Sequence, residues 1–423
     1  MPSMRFHGAL LPLALAACQS PAAERAAVDH PRVWTTPDPA TSEACQRRRV
    51  AVAAALVDGL FVIEAGPEPE NGRFYADDDF YWLTGVSTPE AALVLVAAQG
   101  RLVEQRLYLH PKDANHELWN GPRLAPGADT DGRTGLPSYE LTSYHDDVVG
   151  FAETAARLLC TGEEAETTLF ASAIEYDPVS RFLEPLQAPK DPLEIAAMRT
   201  AIDITQEALS EAMRVAVPGA WEFTAEATLE AGFRKRGAED LAFPSICGSG
   251  PFSCVLHYRN NGRQLEAGDL LVMDAGAKYR HYCADVTRTI PVSGIFTPRQ
   301  REVYTVVYEA SRRAAEVLRP GQTLADAHVV AKEHLERHGF AEYFPHGIGH
   351  GLGLEVHDAP RRHDVLAPGM VVTIEPGIYI AAEELGVRIE DDYLITEDGA
   401  ELLSASIPSA PDALEAYLAA LRR

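Results

Sequence analysis

A chain of 423 residues is too long for one ordinary core and points to two domains, while 46% hydrophobic and 23% charged residues are the proportions of globular protein. Its formal charge of −25 repels phosphate-rich partners, which excludes nucleic-acid binding on electrostatic grounds. After the amino-terminal stretch, no apolar run reaches the length of a membrane span.

Residues 1–18, MPSMRFHGALLPLALAAC, start with a positive charge at Arg5 and continue through an apolar stretch from Phe6 to Ala17, the pattern of a signal peptide. The ending Leu15, Ala16, Ala17, Cys18 resembles a bacterial lipobox, in which cleavage leaves the cysteine as a lipidated first residue; cleavage at an Ala-x-Ala-like site is the alternative. The lipobox implies an exported, periplasmic lipoprotein, and Gln19 favours the outer membrane, with a lipid anchor as the only membrane contact. Residues 19–42, rich in Pro and Ala, read as a tether. Beyond Cys18 there remain Cys45, Cys160, Cys247, Cys254 and Cys283, with no zinc-type spacing; Cys247 and Cys254 either form a bridge or stay as small buried thiols.

From residue 43 helix-like and strand-like apolar stretches alternate in VAVAAALVDGLFVIEAG, and AALVLVAA and RLYLH read as two buried strands. A smaller amino-terminal α/β domain is expected over 43–188, with DDDFYWLTG (77–85) and ELWNGPRLAPGAD (117–129) as loops. LQAPKDPLEIAAMR carries two prolines and opens a long amphipathic helix with Ile195, Met198, Ile202, Leu209 and Met213 on one face, which places the boundary near residue 188. In the second domain, 189–423, helices near 222–236, 298–318 and 324–338 are interleaved with strand-like LLVMDAG, DVTRTIPV, MVVTIEPGIYI and VRIEDDYLIT. Helices on one side of a mostly antiparallel sheet make the fold class α+β.

Four of those strand-like segments carry a carboxylate where a core strand prefers an apolar side chain: Asp274, Asp285, Glu375 and Glu390. Buried charge is costly unless paired or bound to a cation. Between the second and third acid lies HGIGHGLGLEVHD, with His346, His350 and His357 among glycines. A donor set dominated by carboxylate with imidazole in the minority favours Mn2+, with Co2+ or Zn2+ able to substitute, and four acids suffice for two divalent metal ions.

VMDAGAKYRHYCADVTRT, HGIGHGLGLEVHD, TIEPGIY and RIEDDYLIT, in this order, resemble the metallopeptidases of the pita-bread fold, and within them the proline-specific Xaa-Pro aminopeptidases and prolidases. DDDFYWLTG and ELWNGPRL are similar to the amino-terminal domain of that branch, the creatinase/aminopeptidase P type. The resemblance implies that Asp274 binds one metal, that Asp285 and Glu390 bridge two, and that His350 and Glu375 complete the other. It gives His357 the scissile carbonyl, His346 the leaving-group side and His257 a place over the substrate pocket. Tyr379 and Arg388 match residues beside the ligand strands, and Arg388 is either catalytic or a charge-balancing neighbour of Glu390. Gly347, Gly349, Gly351 and Gly353 are expected to let backbone pass close to the metals and to adopt φ values other residues resist.

The implied activity is hydrolysis, by a metalloprotease, of the bond between an N-terminal residue and a following proline, with Glu375 as proton carrier. The alternative is a prolidase, for which Arg361 or Arg362 would grip the dipeptide carboxylate. Trp119 resembles a residue that reaches a neighbouring subunit, against the alternative of packing on its own domain, and a homodimer or homotetramer is expected.

Overall fold

Asp38 starts the first helix, Pro39–Leu56, by accepting a hydrogen bond from the Thr41 amide at 2.9 Å. The computed structural model describes residues 37–70, 73–161 and 179–423, all within one compact unit, so the signal peptide and most of the tether lie outside the described residues. The helix leads into a five-stranded sheet, in spatial order Ser138–Glu140, Arg101–Leu109, Ala92–Ala98, Gly59–Glu64 and Leu158–Cys160. Its inner pairings are antiparallel, and each outermost strand runs parallel to its neighbour.

The expected strand RLYLH is the end of Arg101–Leu109, where Leu107, Tyr108 and Leu109 are buried, and the strand begins earlier, at Arg101. Its edge neighbour is three residues long and covers just those three positions, so the first half is an exposed edge. Two expected loops are partly helical. Asp77 caps Asp78–Thr84 at the Phe80 amide and Gly85 ends it in a left-handed conformation, while Asp113 caps Ala114–Asn120 at the amides of Asn115 and His116. Each is a short helix bracketed by an acidic cap and a glycine.

In the second region the helix Pro192–Val215 carries a capping box, Asp191 with Glu194, and buries Met198, Ile202, Leu209 and Met213; Ile195 is half-buried. Further helices span Glu222–Lys235, Pro298–Ala315 and Leu324–Arg337. The single sheet expected here is divided into small antiparallel sheets: Ile246–Ser249, Leu270–Ala275 and Val286–Pro291 in one, Val371–Ile374, Asp391–Ile395 and Ala400–Leu402 in another, and the hairpin Gly377–Ile380 with Leu385–Arg388. The breaks fall at Pro376 and between Arg388 and Asp391, where strand pairing changes partner.

Buried and half-buried polar links join the two regions. Arg48 meets Asp191 at 2.7 Å, the Trp82 indole N–H donates to Glu194 at 3.0 Å, and Asp78 holds both Lys278 and His281, at 2.9 and 2.6 Å. The cysteines at 45, 160, 247, 254 and 283 are free, so Cys247 and Cys254 form no bridge. Among the described residues no helix is long and apolar enough to cross a membrane.

Candidate metal centre

Each strand-borne acid reaches the centre from a different element. Asp274 stands in Leu270–Ala275 opposite both Thr287 and Ile246, Asp285 precedes Val286–Pro291, and Glu375 follows Val371–Ile374. Glu390 sits between two strands; its amide donates to the Thr287 carbonyl at 3.1 Å, and its Oε2 accepts from the Thr287 hydroxyl at 2.8 Å.

The glycine-rich segment runs antiparallel to Val371–Ile374 as an added edge. The Leu352 amide donates to Val371 at 3.0 Å, the Thr373 amide to His350 at 2.9 Å, and the Glu375 amide to Ile348 at 2.7 Å. This ladder places His350 beside the acids. Its Nε2 lies 3.5 Å from Asp285, 3.8 Å from Glu375 and 3.9 Å from Glu390. Its Nδ1 faces the Gly351 carbonyl at 3.0 Å, which requires the proton on Nδ1 and leaves the Nε2 lone pair toward the carboxylates.

The glycines correct one expectation: Gly347, Gly349, Gly351 and Gly353 have no positive φ. Their need is steric, because the ladder brings backbone onto backbone. A Cβ at Gly349 would strike the Thr373 carbonyl, and one at Gly351 would strike Asp358 and Ala359; only Gly347 has room.

The electrostatics are those of a cation site. Asp274 Oδ1, Asp285 Oδ1, Glu390 Oε1 and Asp392 Oδ1 are buried with no hydrogen-bond partner. Burial, with Asp274, Asp392 and Glu375 nearby, pushes the Asp285 carboxyl well above its usual range, and burial with Asp285 and Glu375 does the same to Glu390. Burial raises Glu375 to about 6, against the opposing pull of His350 and Arg388. Clustered acids with oxygens left empty fit divalent metal binding, and Asp285, His350 and Glu390 converge closely enough to share one ion.

The remaining residues surround this cluster. Arg388 is buried and binds Asp274 at 2.6 Å and the Tyr379 hydroxyl at 2.9 Å. Tyr379 Oη also lies 3.0 Å from His346 Nε2, whose Nδ1 faces the Gly347 carbonyl at 2.8 Å; the carbonyl takes the Nδ1 proton, so Tyr379 donates to Nε2. Burial, with Arg388, His328 and His257 nearby, lowers His346 to about 4, so its ring is neutral. The His357 ring lies 4.1 Å from the His350 ring at the solvent-facing rim, and partial desolvation there, with His350 and His257 nearby, lowers its pKa. His257 is exposed, next to Leu256, whose carbonyl lies 3.4 Å from Arg388.

A cleft of about 1000 Å³ reaches from His350 and His357 to Asp77, Asp79 and Glu184 of the amino-terminal region. Arg361 and Arg362 also line it, but the Arg361 guanidinium is engaged by Glu184 at 3.0 and 2.5 Å. Trp119 lies away from this cleft and is 79% exposed, so it does not pack on its own domain. Sequence reading missed Asp392, Thr287, Arg288 and Lys190. Asp392 had a signal in the acid run of RIEDD; Thr287 and Arg288 look ordinary until strand register places them, and Lys190 until the fold brings it to Asp358, 3.4 Å away.

The sequence profile "Aminopeptidase P, N-terminal domain" matches residues 45–132, and "Metallopeptidase family M24" matches 196–397. The Xaa-Pro aminopeptidase of Escherichia coli is 32% identical over 89% of this chain and 98% of its own length. The Xaa-Pro dipeptidase of Pyrococcus furiosus is 41% identical, over 54% of this chain and 67% of its own. Among solved structures, proline aminopeptidase P II from Yersinia pestis is similar with a TM-score of 0.82 at 30% identity, covering 90% of this chain and 99% of that one. Aminopeptidase P from E. coli with the inhibitor Pro-Leu gives 0.81 at 30% identity, over 90% and 99%.

Proposed function

The chain belongs to metallopeptidase family M24 and is an Xaa-Pro aminopeptidase, and from that premise we propose that two divalent cations, Mn2+ before Co2+ or Zn2+, are held by Asp274, Asp285, His350, Glu375 and Glu390. The observation behind this assignment is the row of buried carboxylate oxygens without partners beside the Nε2 lone pair of His350. Bound there, the cations supply Lewis acidity and bring the pKa of a water toward neutrality.

The side chains do the rest. Glu375, beside His350 at 3.8 Å, would take a proton from the attacking water and return it to the prolyl nitrogen. His357, exposed at the cleft beside His350, donates to the carbonyl oxygen as negative charge develops. His346, fixed by Tyr379 and Gly347, offers a neutral ring to the leaving-group side, and Arg388 orients Tyr379 while balancing Asp274. His257, exposed and next to Leu256, whose carbonyl lies 3.4 Å from Arg388, is assigned a place over the substrate pocket. Proline in second position presents a tertiary amide with no N–H, so the site needs no acceptor there.

The assay is kcat/KM on matched peptides with Mn2+ added. An Xaa-Pro-Xaa tripeptide should exceed the Xaa-Pro dipeptide, and replacing proline by alanine should abolish turnover. A strong dipeptide preference would make the enzyme a prolidase. Elemental analysis should find two ions per active chain, and full activity with one ion or none overturns the dinuclear reading.

We also propose that the protein is an outer-membrane lipoprotein anchored through Cys18, on the strength of Arg5, the apolar Phe6–Ala17 stretch and Gln19. Membrane fractionation of wild type against Cys18→Ala tests this, and equal release of both into the periplasm rejects it. A homodimer or homotetramer is supported by Leu118 and Trp119, adjacent and 78% and 79% exposed. Sedimentation as an active monomer refutes assembly.

A further inference from the structure

Away from the centre, the helices Pro298–Ala315 and Leu324–Arg337 pack together and gather Glu309, His334 and His338, whose ligating atoms lie within 4.8 Å of one another. His334 is 2% exposed, and its buried Nε2 makes no hydrogen bond. The nearest acid oxygen, Glu309 Oε2, is 3.5 Å away, too distant for a well-formed bond. His338 follows four residues later on the same face, with the two rings 4.5 Å apart. Its Nδ1 meets the His334 carbonyl at 2.9 Å, and because a carbonyl only accepts, Nδ1 carries the proton and the Nε2 of the neutral ring keeps its lone pair.

An ordinary His–Glu ion pair requires imidazolium at His334. Burial disfavours that form, and His338, Arg313 and Arg337 reinforce the effect against the single opposing charge of Glu309. Neutral imidazole is the form that ligates metals. A buried imidazole nitrogen with no partner, facing a carboxylate and a second imidazole, is the same kind of deficit that marks the main centre.

We propose that Glu309, His334 and His338 form a second, peripheral metal site for a borderline cation such as Zn2+ or Ni2+. Two imidazoles to one carboxylate suit those ions, whereas the main centre, with four carboxylates to one imidazole, suits Mn2+. Glu309 comes from one helix and both histidines from the end of the next, so an ion here ties the two helices together, and water fills its remaining positions. Binding to the folded chain alone raises stability in proportion to RT ln(1 + [metal]/Kd).

The test is a Zn2+ titration of the Mn2+-loaded full chain against a chromophoric chelator, beside His338→Ala and Glu309→Gln. Both substitutions fall on half-exposed or exposed side chains, which avoids disturbing buried His334. Displacement of Mn2+ at the main centre would be common to all three proteins and cancels in the comparison. Wild type should bind one further Zn2+ per chain at least ~100-fold more tightly than either variant. Zn2+ should raise the Tm of wild type more than that of the variants, with Xaa-Pro cleavage equal in all three. Equal uptake and equal Tm shifts across the three proteins would overturn the site.

Discussion

Two buried charge clusters share the strand Val286–Pro291 and the segment around Glu390, on opposite faces, and they differ in whether their atoms find partners. Thr287 and Glu390 face the metal centre, while the next residues, Arg288 and Asp391, face away. Arg288 is 1% exposed, yet its guanidinium meets Asp391 at 2.6 Å and the carbonyls of Glu390, Ile407, Thr287 and Ser404 at 2.7 to 3.3 Å. On the other face four carboxylate oxygens have no partner. Burial of charge therefore does not by itself mark a site. What separates the two faces is several crowded carboxylates with bonds missing together; a single unpaired nitrogen, such as Arg49 Nη2, marks no site.

The sharpest way to break this comparison is to remove a member of the incomplete cluster. Under the proposed two-ion arrangement, in which Asp285 and Glu390 would each bridge, Glu390→Ala or Asp285→Ala should lose both metals and fall to background turnover. Metal analysis of the folded variant checks this, and retention of both ions would show that neither residue bridges.

On the complete face the effect should fall on stability. Arg288→Met leaves Asp391 buried without its cation, a change that typically costs ~3–5 kcal/mol. Denaturant unfolding measures the loss, while metal content per folded chain should equal wild type. Loss of metal in a stable Arg288→Met protein would mean that the two faces are one unit.

How far this was legible in the sequence follows the same division. Asp274, Asp285, Glu375 and Glu390 stood out because an acid inside an apolar strand run contradicts its surroundings. Arg288, in DVTRTIPV, reads as a solvent-facing strand residue, since nothing in the sequence pairs it with Ser404 and Ile407, more than a hundred residues on. The helix Asp78–Thr84 was hidden because seven residues give too short a period to separate from an aromatic loop. Of the two reasons expected for the glycines at 349 and 351, close passage of backbone holds, against a partner strand, while unusual φ does not, because positive φ is what glycine suggests locally and the partner is a tertiary fact.

A smaller effect should appear when the metals are removed. Glu375 has a reference value of 4.5 and is raised to about 6 in the folded chain, so the native state holds the extra proton. Stability from this group is fully present below 4.5 and is lost as pH rises through about 6. At 1.36 kcal/mol per pKa unit this is roughly 2 kcal/mol, and Asp285 and Glu390, raised further, extend the decline upward in pH. The metal-free protein should therefore have a higher Tm at pH 5 than at pH 7.5, and divalent ions should reverse that order. A metal-free Tm that rises over this range would show that the acids are not crowded.

The smallest effect is expected at Arg361, where the same rule is applied at the surface. The guanidinium lines the cleft, but Glu184 already occupies both of its facing nitrogens, and the side chain is 70% exposed. By the logic of Arg288, a cation with a partner is not waiting for a substrate carboxylate; by the logic of exposure, its pair with Glu184 is weak and screened. Both arguments give Arg361→Ala less than a ~3-fold change in kcat/KM for an Xaa-Pro-Xaa tripeptide. Glu184→Gln separates them, because it frees the guanidinium without removing it. If Arg361 can grip a carboxylate one residue beyond the scissile bond, dipeptide kcat/KM should rise in Glu184→Gln and return to wild type in Glu184→Gln with Arg361→Ala. No change in either variant means that Arg361 only ties the cleft wall to the amino-terminal region. A wild-type dipeptide activity above that on the tripeptide, lost in Arg361→Ala, would instead show that a paired surface cation can be the specificity determinant, and the rule drawn from the buried clusters would fail outside the core.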